Sequence, residues 1–179
     1  MNIGFLGGSF NPPHYGHLFA ALYAISHFNL DHVWLAPVKD HPFGKSAIDF
    51  HHRLAMTQAL VQPFTPQLKV TDIEAQLKEG GKTLHTLNAL ADKYPDHNFS
   101  LLVGSDIVPE LPKWHAIDQI RSTYPIHIIP RGQNSGSPFY IPNISSTWIR
   151  RSMGQNKMPS LAAPKNILAY VEQHKLYVF

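Results

Sequence analysis

The sequence predicts an α/β fold in which a doubly wound parallel sheet forms a single domain, residues 1–179. Apolar runs of strand length alternate with helical patterns along the chain, which is typical of parallel strands joined by crossover helices. A glycine-rich turn follows the first apolar run, and sheets of this class bind phosphate at such a turn. The length of 179 residues is enough for one well-buried core and short for two.

The first half of the chain supplies three predicted strands and two predicted helices. Each strand is a short apolar run bounded by turn residues, and each helix is a longer segment with helical apolar spacing. In chain order the elements are a strand over 1–6, a helix through 18–25, a strand over 32–38, a helix from about Asp49, its N-cap, to Val61, and a strand near 68–71.

The second half continues the alternation with two more strands. The predicted elements are a helix over 83–93, strands over 98–103 and 124–129, and a helix start at 145–147. Ligands of doubly wound sheets bind beyond the carboxyl ends of strands where the winding reverses, and the loops after strands one and four commonly flank that crevice. Those two loops carry His14, His17 and Asp106.

The turn after the first strand has the features of an anion site. Gly7 and Gly8 let backbone N–H groups approach a ligand closely, and the following helix presents unpaired N–H groups and a partial positive charge. His14 and His17 share one face if the helix begins near Tyr15. An imidazole donates a hydrogen bond to a phosphoryl oxygen that gains charge in a transition state. The turn therefore predicts phosphate binding and electrostatic catalysis without a covalent intermediate.

Other interpretations of the histidine pair stay open at this stage. A histidine near a helix start is often a solvated or capping residue, and the chain has 12 histidines. A His-x-x-His pair can also bind a metal, but the chain has no cysteine and no third ligand at metal-site spacing, so we predict no metal ligands. The turn lacks the Lys-Ser/Thr of a P-loop and the spacing of the dinucleotide-binding fingerprint.

A second polar segment lies at the predicted helix start after residues 142–143. Ser145, Ser146 and Thr147 are favoured at such a position for capping alone. Arg150 follows about one turn later, where a guanidinium could join the hydroxyls and the helix N–H groups around a triphosphate. We therefore expect a phosphate-binding role as well as a capping role.

Both segments resemble the signatures of one enzyme superfamily. Gly7 to His17 resembles the G-x-F-x-P-x-H-x-G-H signature of the nucleotidylyltransferases related to class I aminoacyl-tRNA synthetases, and Ile144 to Arg150 resembles their I-S-S-T-x-I-R signature. Within that superfamily the chain is most similar to the bacterial nicotinate-mononucleotide adenylyltransferases. These also have Gly-x-Asp after the fourth strand, a following tryptophan and a closing helix ending in Leu-Tyr, as at 104–106, Trp114 and 176–177.

The resemblance implies a Rossmann-like nucleotidylyltransferase fold and adenylyl transfer from ATP to nicotinate mononucleotide, with Mg²⁺ as the cofactor that accompanies ATP. It implies that the helical part at about 144–179 completes the ATP site, and that His14, His17 and Arg150 are catalytic. The implied ATP-binding residues are Gly7, Gly8, Ser9, Phe10, His14, His17, Gly104, Asp106, Ser146, Thr147 and Arg150. The implied mononucleotide-binding residues are Lys45, Arg53, Thr83, Thr86, Asp106 and Trp114.

Several of these residues also have plainer interpretations. Lys39, Lys45 and Arg53 suit ordinary surface charges, because long cations usually decorate loops and helices. Asp106 suits a cap on a short helix, and Trp114 suits a place in the core as well as a wall that stacks on a pyridine ring.

The acceptor segment departs from the family pattern. The family pattern is an arginine followed by Ser-Tyr-Thr-x-x-Thr-Leu. In this chain Lys82 replaces the tyrosine. Leu77 or Lys78 stands near the position of the expected arginine. Thr83 and Thr86 match the pattern. Lys82 could attract a carboxylate, but the substitution leaves the choice between nicotinate and nicotinamide mononucleotide open.

Composition favours a globular enzyme that handles small anions. The formal net charge of +3 suits anionic metabolites and is too small to indicate nucleic-acid binding. The absence of cysteine excludes disulfides and thiol catalysis and fits a reducing cytosol. The chain starts without a basic signal region, and no apolar run approaches the roughly 20 residues that span a bilayer. We expect a cytoplasmic protein whose partners are ATP and a pyridine mononucleotide, without nucleic-acid or membrane partners; homo-oligomerisation stays open.

Four rival functions share part of this pattern. The same signatures serve adenylyl transfer to phosphopantetheine and cytidylyl transfer. A nucleotide-binding regulator without catalysis would fit the altered acceptor segment. Class I synthetases share His-x-Gly-His, and residues 157–160 faintly resemble their lysine loop, but a chain of 179 residues has no room for tRNA-binding domains.

Overall fold

A computed structural model describes residues 1–39, 47–78, 82–132, 140–155, 157 and 159–177. Within these ranges the centre of the molecule is a five-stranded sheet with the strand order β3-β2-β1-β4-β5. The strands are β1 (Asn2–Gly8), β2 (His32–Pro37), β3 (Leu68–Val70), β4 (Asn98–Gly104) and β5 (Ile126–Ile129). All neighbouring strands are parallel, which confirms the predicted parallel sheet.

Helices cover both faces of the sheet. The α-helices are α1 (Tyr15–His27), α2 (Phe50–Val61), α3 (Ile73–Gln76), α4 (Thr83–Lys93), α5 (Ile117–Thr123), α6 (Ser146–Gly154) and α7 (Lys165–Gln173), and 3₁₀ turns span Gln62–Phe64 and Val108–Lys113. Helices α1, α2 and α7 pack on one face, and α3, α4 and α5 pack on the other. The doubly wound architecture is therefore confirmed. In the described part of the chain, no helix is long and apolar enough to cross a membrane.

Strand β2 shows how the sequence builds two cores around one sheet. Val33 and Leu35 pack with α1, α2 and α7, whereas Trp34 and Ala36 pack with the helices of the opposite face. Successive side chains of a strand point to opposite faces. A strand covered on both faces is therefore apolar at nearly every position.

The winding of the sheet reverses between β1 and β4. From β1 the chain proceeds outward to β2 and β3, and then returns to place β4 on the other side of β1. The two central strands end at Gly8 and Gly104. Because ligands of such sheets bind beyond the carboxyl ends at the reversal, this edge of the sheet is where the functional residues are expected.

Strand β1 ends at Gly8, in the Gly7-Gly8 turn where the sequence predicts its end, and its last two residues pair with the last two of β2. Two other boundaries differ from the sequence prediction. Strand β5 begins at Ile126, since Tyr124 closes α5, a helix that the sequence pattern did not reveal. Leu176 and Tyr177 follow the end of α7 and do not form its last turn.

Candidate active site

The two signature histidines lie against each other at the start of α1. His14 is the N-cap residue of the helix and is buried, and its ring stacks on that of His17 with centroids 3.8 Å apart. A Cβ atom on Gly16 would lie only 3.0 Å from two atoms of the His14 ring. The glycine of the signature therefore leaves the space in which the two imidazoles stack.

A backbone hydrogen bond fixes the tautomer of His17. The N–H of His14 donates to Nδ1 of His17 over 3.2 Å. Because Nδ1 accepts, the single proton of the neutral ring must be on Nε2. His17 lines both of the cavities described below, so a ligand there meets a ring whose free nitrogen is a hydrogen-bond donor.

Burial keeps both rings neutral near pH 7. It lowers the pKa of His14 from 6.5 to about 3, and the positive charge of Arg131 adds to the effect. Burial also holds the pKa of His17 well below 6.5, with His14 and Arg131 contributing. Nδ1 of His14 is buried and has no hydrogen-bond partner among the described residues. Both rings are therefore neutral near pH 7.

The start of α6 contacts the turn after β1 directly. Ser145 caps the helix by accepting a hydrogen bond from the N–H of Trp148 over 3.2 Å, while the hydroxyl of Ser146 donates to the carbonyl of Pro12 over 2.8 Å. Nη1 of Arg150 donates to the carbonyl of Asn11 over 2.6 Å. Two segments more than 130 residues apart in sequence are thus joined by side-chain to backbone hydrogen bonds.

A cavity of about 270 Å³ lies between these two segments. Most of the side chains that line it can donate hydrogen bonds, as an anion requires. The lining residues are Ser9, Phe10, Asn11, His14, His17, Ala47, Asp106, Arg131, Asn143, Ser145, Ser146, Thr147 and Arg150. We call this the narrow cavity. It brings together eight of the residues predicted to bind ATP: Ser9, Phe10, His14, His17, Asp106, Ser146, Thr147 and Arg150.

A second cavity, of about 730 Å³, extends across the carboxyl ends of β1 and β4. We call it the wide cavity, and it contains the remaining predicted ATP-site glycines, Gly7, Gly8 and Gly104. The polar and aromatic residues in its wall include Glu74, Lys82, Thr83, Glu110, Lys113, Trp114 and His115. Ser9, His17 and Arg131 line both cavities. The two spaces therefore meet at His17.

The predicted mononucleotide residues fall into two groups. Thr83 and Trp114 line the wide cavity, and Trp114 is half-buried against the core beneath it. Asp106 lines the narrow cavity instead, where it pairs with Arg131 and does not cap a helix. Thr86 and Arg53 line neither cavity. Lys45 lies outside the described residues.

Thr86 and Arg53 form hydrogen bonds to residues that line the cavities. Thr86 is fully buried, and its hydroxyl donates to the carboxylate of Glu74, which lines the wide cavity. The buried guanidinium of Arg53 donates to the backbone carbonyls of Ser9, Val38, Lys39 and Ile48. The expectation that Arg53 is a surface charge is thus wrong, because its donors are used by four carbonyls.

Arg131 is the main site residue that the sequence analysis missed. It lies two residues after the end of β5. Its Nη1 lies 3.3 Å from Oδ2 of Asp106, and its Nη2 donates to the carbonyl of Ile144 over 3.0 Å. Its position just past the carboxyl end of a strand next to β4 was the available signal. Residues 130–132 match neither signature, so no motif marks Arg131 in the sequence.

The part of the chain that contains both signature segments matches a known protein family. A family model described as cytidylyltransferase-like matches residues 5–152. The sequence is 37% identical to a Myxococcus xanthus protein described as "Probable nicotinate-nucleotide adenylyltransferase", over 99% of this chain and 95% of that protein. The chain belongs to the nicotinate-nucleotide adenylyltransferase family. An Anaeromyxobacter (strain K) member with the same description is 39% identical over 98% of this chain and 96% of its own length.

The fold of this nicotinate-nucleotide adenylyltransferase family member is also similar to that of a solved structure. The Plasmodium falciparum nicotinic acid mononucleotide adenylyltransferase complexed with NaAD aligns with a TM-score of 0.78 at 20% identity. The alignment covers 98% of this chain and 97% of that chain. The family fold therefore includes the C-terminal helices as well as the sheet.

Proposed function

We propose that this chain transfers the adenylyl group of ATP to nicotinate mononucleotide, forming the deamido-NAD dinucleotide and pyrophosphate in NAD biosynthesis, in the cytoplasm. The observation that carries the proposal is the meeting of two cavities at His17, one lined by phosphate-binding groups and the other by an aromatic wall. Family membership supports the same reaction. The dinucleotide product needs both spaces, since it joins two nucleotides through their phosphates.

ATP occupies the narrow cavity in this proposal. Thr147 and Arg150 face the triphosphate with a hydroxyl and a guanidinium, and the N-terminus of α6 adds N–H groups. Ser146 lines the same cavity and holds the start of α6 against the turn after β1 through its bond to Pro12. Ser9 lines this cavity from the turn after β1, whereas Gly7 and Gly8 lie next to it in the wall of the wide cavity. Residues 144–179 thereby complete the ATP site within a single domain.

The reaction is an in-line displacement at the α-phosphorus. A 5′-phosphate oxygen of the mononucleotide forms a bond to the α-phosphorus of ATP, and the bond from that phosphorus to the oxygen bridging to the β-phosphorus breaks. The electron pair leaves with pyrophosphate, and no proton transfer is needed because the attacking phosphate is ionised. The Nε2–H of His17 donates to a non-bridging oxygen as its charge grows, and His14 holds that ring in place.

The residues present suit Mg²⁺ that enters with ATP. The described residues contain no group of three or more His, Cys, Asp or Glu side chains placed to hold a metal, and Mg²⁺ commonly binds through substrate phosphates and water with one or two carboxylates. Asp106 is the carboxylate in the wall of the narrow cavity. The ion would supply positive charge at the phosphate oxygens.

The pyridine mononucleotide occupies the wide cavity. Trp114 offers a flat apolar face for the pyridine ring, and Thr83 and Lys82 stand at the start of α4 in the same wall. Thr86 and Arg53 act indirectly, through Glu74 and through the backbone of the loops. Lys82 is the candidate for recognition of the nicotinate carboxylate, because an ammonium favours a carboxylate over a neutral amide.

A comparison of acceptors tests the proposal. Pyrophosphate release is measured with ATP and Mg²⁺ in the presence of nicotinate mononucleotide, nicotinamide mononucleotide or phosphopantetheine at equal low concentrations. We expect turnover mainly with the first. Preference for another acceptor would preserve adenylyl transfer and overturn the choice of substrate. ATP binding without pyrophosphate release from any acceptor would favour a regulator.

Lys82→Met tests how the acceptor is chosen. We expect kcat/KM for nicotinate mononucleotide to fall on the order of tenfold, as for loss of a charge-assisted hydrogen bond, with little change for nicotinamide mononucleotide. Lys113→Met removes another lysine of the same wall and serves as the matched control. An equal loss with both acceptors would contradict carboxylate recognition by Lys82.

A further inference from the structure

Three histidines that the proposed reaction does not use lie together where α2 meets α7. The ring centroids of His52 and His51 are 4.0 Å apart, and those of His52 and His174 are 5.1 Å apart. We propose that this histidine cluster is a pH-sensitive switch, which holds α2 to α7 while its rings are uncharged and separates the two helices when the rings gain protons. This role is independent of the proposed reaction.

Helices α2 and α7 pack against each other in opposite directions. Near the end of α2, the carbonyl of Ala59 accepts a hydrogen bond over 3.3 Å from Nδ2 of Asn166, at the start of α7. Near the start of α2, Nδ1 of His52 lies 2.9 Å from the hydroxyl of Tyr170, in the second half of α7. The histidine cluster therefore lies at one end of the helix pair, where repulsion between rings on different helices acts to separate them.

The hydrogen bond between His52 and Tyr170 is compatible with both charge states of the imidazole. A tyrosine hydroxyl can donate to Nδ1 of a neutral ring and can accept from the N–H of a charged one. What changes on protonation is the interaction between the rings, because like charges this close repel each other. His52 is half-buried, so water and salt screen this repulsion only in part.

The surroundings of His52 oppose its protonation. Partial burial lowers its pKa below 6.5, and positive charge on His51 and His174 lowers it further, whereas Asp49 raises it. Arg53, the next residue, turns its guanidinium inward to backbone carbonyls. Separation of the helices removes the influence of His174 and part of the burial, so the open form binds the proton more tightly. Acidification below pH 6.5 therefore favours opening.

A strained turn connects the histidine cluster to the C-terminal part of the chain. Lys175 and Tyr177, which follow His174, have φ values of 50° and 61°, in the left-handed region that residues with a Cβ atom rarely adopt. Such a turn persists only while surrounding contacts hold it. One of these contacts joins it to α7, since the N–H of Leu176 donates to the carbonyl of Val171 over 3.0 Å. Release of α7 lets this turn relax.

Both helices of the pair also lead to the candidate active site. The hydroxyl of Tyr177, at the end of the strained turn, donates to Oδ1 of Asn11 over 2.7 Å. On the other side of the cluster, Nη1 of Arg53 on α2 donates to the carbonyl of Ser9 over 3.0 Å. Ser9 and Asn11 belong to the turn after β1. Opening of the helix pair therefore loosens this turn from two directions.

Hydrogen exchange tests the switch without any substrate. Protection factors of the backbone amides in α7 and at 174–177 are measured at pH 7.5 and 5.5, corrected for the pH dependence of intrinsic exchange. We expect them to fall more than those of α4, on the opposite face of the sheet, by up to about tenfold, the limit for one group over one pH unit. An equal fall in α7 and α4 would overturn the proposal.

Two variants assign the effect to the cluster. His52→Asn removes the central ring but keeps an amide near the position of Nδ1, and we expect the additional fall in α7 to disappear. His174→Gln should act in the same way, because repulsion between the helices needs a ring on each of them. His27→Asn changes an exposed histidine that stacks on Tyr23 within α1, and this control should keep the full pH dependence. A full pH dependence in His52→Asn would contradict the role of the cluster.

Turnover measures the link to the turn after β1 separately. We expect kcat to fall more between pH 7.5 and 5.5 in the unaltered protein than in His52→Asn, since only the former can charge the cluster. Substrate phosphates also titrate in this range, but they do so equally for both proteins. Equal falls in kcat would overturn the link to the candidate active site. If no acceptor supports turnover, the proposed function fails, and hydrogen exchange still decides whether the switch exists.

Discussion

His17 illustrates how a single backbone hydrogen bond can define a side chain's chemistry. Its Nδ1 is committed to the N–H of His14, and burial disfavours the charged ring. The result is a neutral donor whose direction is set before any ligand arrives. Preorganised donors of this kind stabilise a transition state without reorganisation during the reaction.

Replacement of His17 tests this role. We expect His17→Ala to lower kcat on the order of 100-fold or more, as for removal of a transition-state donor, while thermal unfolding changes little. His17→Gln retains a neutral N–H donor of similar reach, so we expect it to recover part of the loss. Initial rates of pyrophosphate release give kcat. An unchanged kcat in His17→Ala would remove the residue from the mechanism.

The buried histidines also make stability depend on pH. His14 has a pKa of about 3 in the folded protein, against 6.5 for an ordinary histidine, so the unfolded chain binds more protons between these values. The stabilisation is complete above pH 6.5 and is lost as the pH falls from 6.5 towards 3, at up to about 1.4 kcal/mol per pH unit for one group.

His14→Gln should reduce this dependence. We expect its free energy of unfolding to fall less steeply with acidification than that of the unaltered protein, because one proton-binding difference is gone. Denaturant titrations at a series of pH values between 4 and 8 measure both slopes. Parallel curves would mean that His14 is not the titrating group.

At the scale of elements, α6 carries both a stabilising cap and a functional contact within two residues. Ser145 caps the helix through the N–H of Trp148, and Ser146 turns its hydroxyl to the carbonyl of Pro12. Capping of the helix and contact with the turn after β1 therefore belong to different residues.

Ser145→Ala should separate the two roles. We expect a loss of about 1 kcal/mol in the free energy of unfolding, the usual effect of removing an N-cap hydroxyl. Ser152→Ala alters a serine inside the same helix, where alanine is the better helix former, and is the control. Chemical denaturation measures both. Equal stability of the two variants would contradict the capping role.

The local signatures could be predicted because their chemistry lies within short segments. Gly7 to His17 and Ile144 to Arg150 each contain their turn, their cap and their donors. Arg131 could not be predicted in this way, because its role depends on β5 pairing beside β4. The direction of Thr86 towards Glu74 likewise depends on how α3 and α4 pack, which hydrophobic periodicity does not specify.

At the scale of the whole molecule, three residues from distant parts of the chain form hydrogen bonds to the turn after β1. Arg53 of α2 donates to the carbonyl of Ser9, Arg150 of α6 donates to that of Asn11, and the hydroxyl of Tyr177 donates to Oδ1 of Asn11 over 2.7 Å. Burial raises the pKa of Tyr177 well above its usual value, so this donor stays protonated. Residues of the C-terminal part of the chain thus stabilise the turn after β1.

Tyr177→Phe tests this long-range support. Asn11 is buried, so removing the hydroxyl leaves an acceptor without its donor, and we expect a loss of about 1 to 3 kcal/mol in the free energy of unfolding. We also expect a lower kcat, since the turn carries His14 and His17. Tyr170→Phe removes the hydroxyl that meets His52 on α2, away from the turn, and is the control. Normal stability and turnover in Tyr177→Phe would contradict the role.

The shared wall of the two cavities has a consequence for the reaction cycle. Ser9, His17 and Arg131 line both cavities. A molecule that occupies both cavities at once is therefore bound at each of its two ends. Once one end is seated, the other rebinds at a high effective concentration. The dinucleotide product should consequently bind more tightly than either substrate, act as an inhibitor when it accumulates, and make its own departure a slow step of turnover.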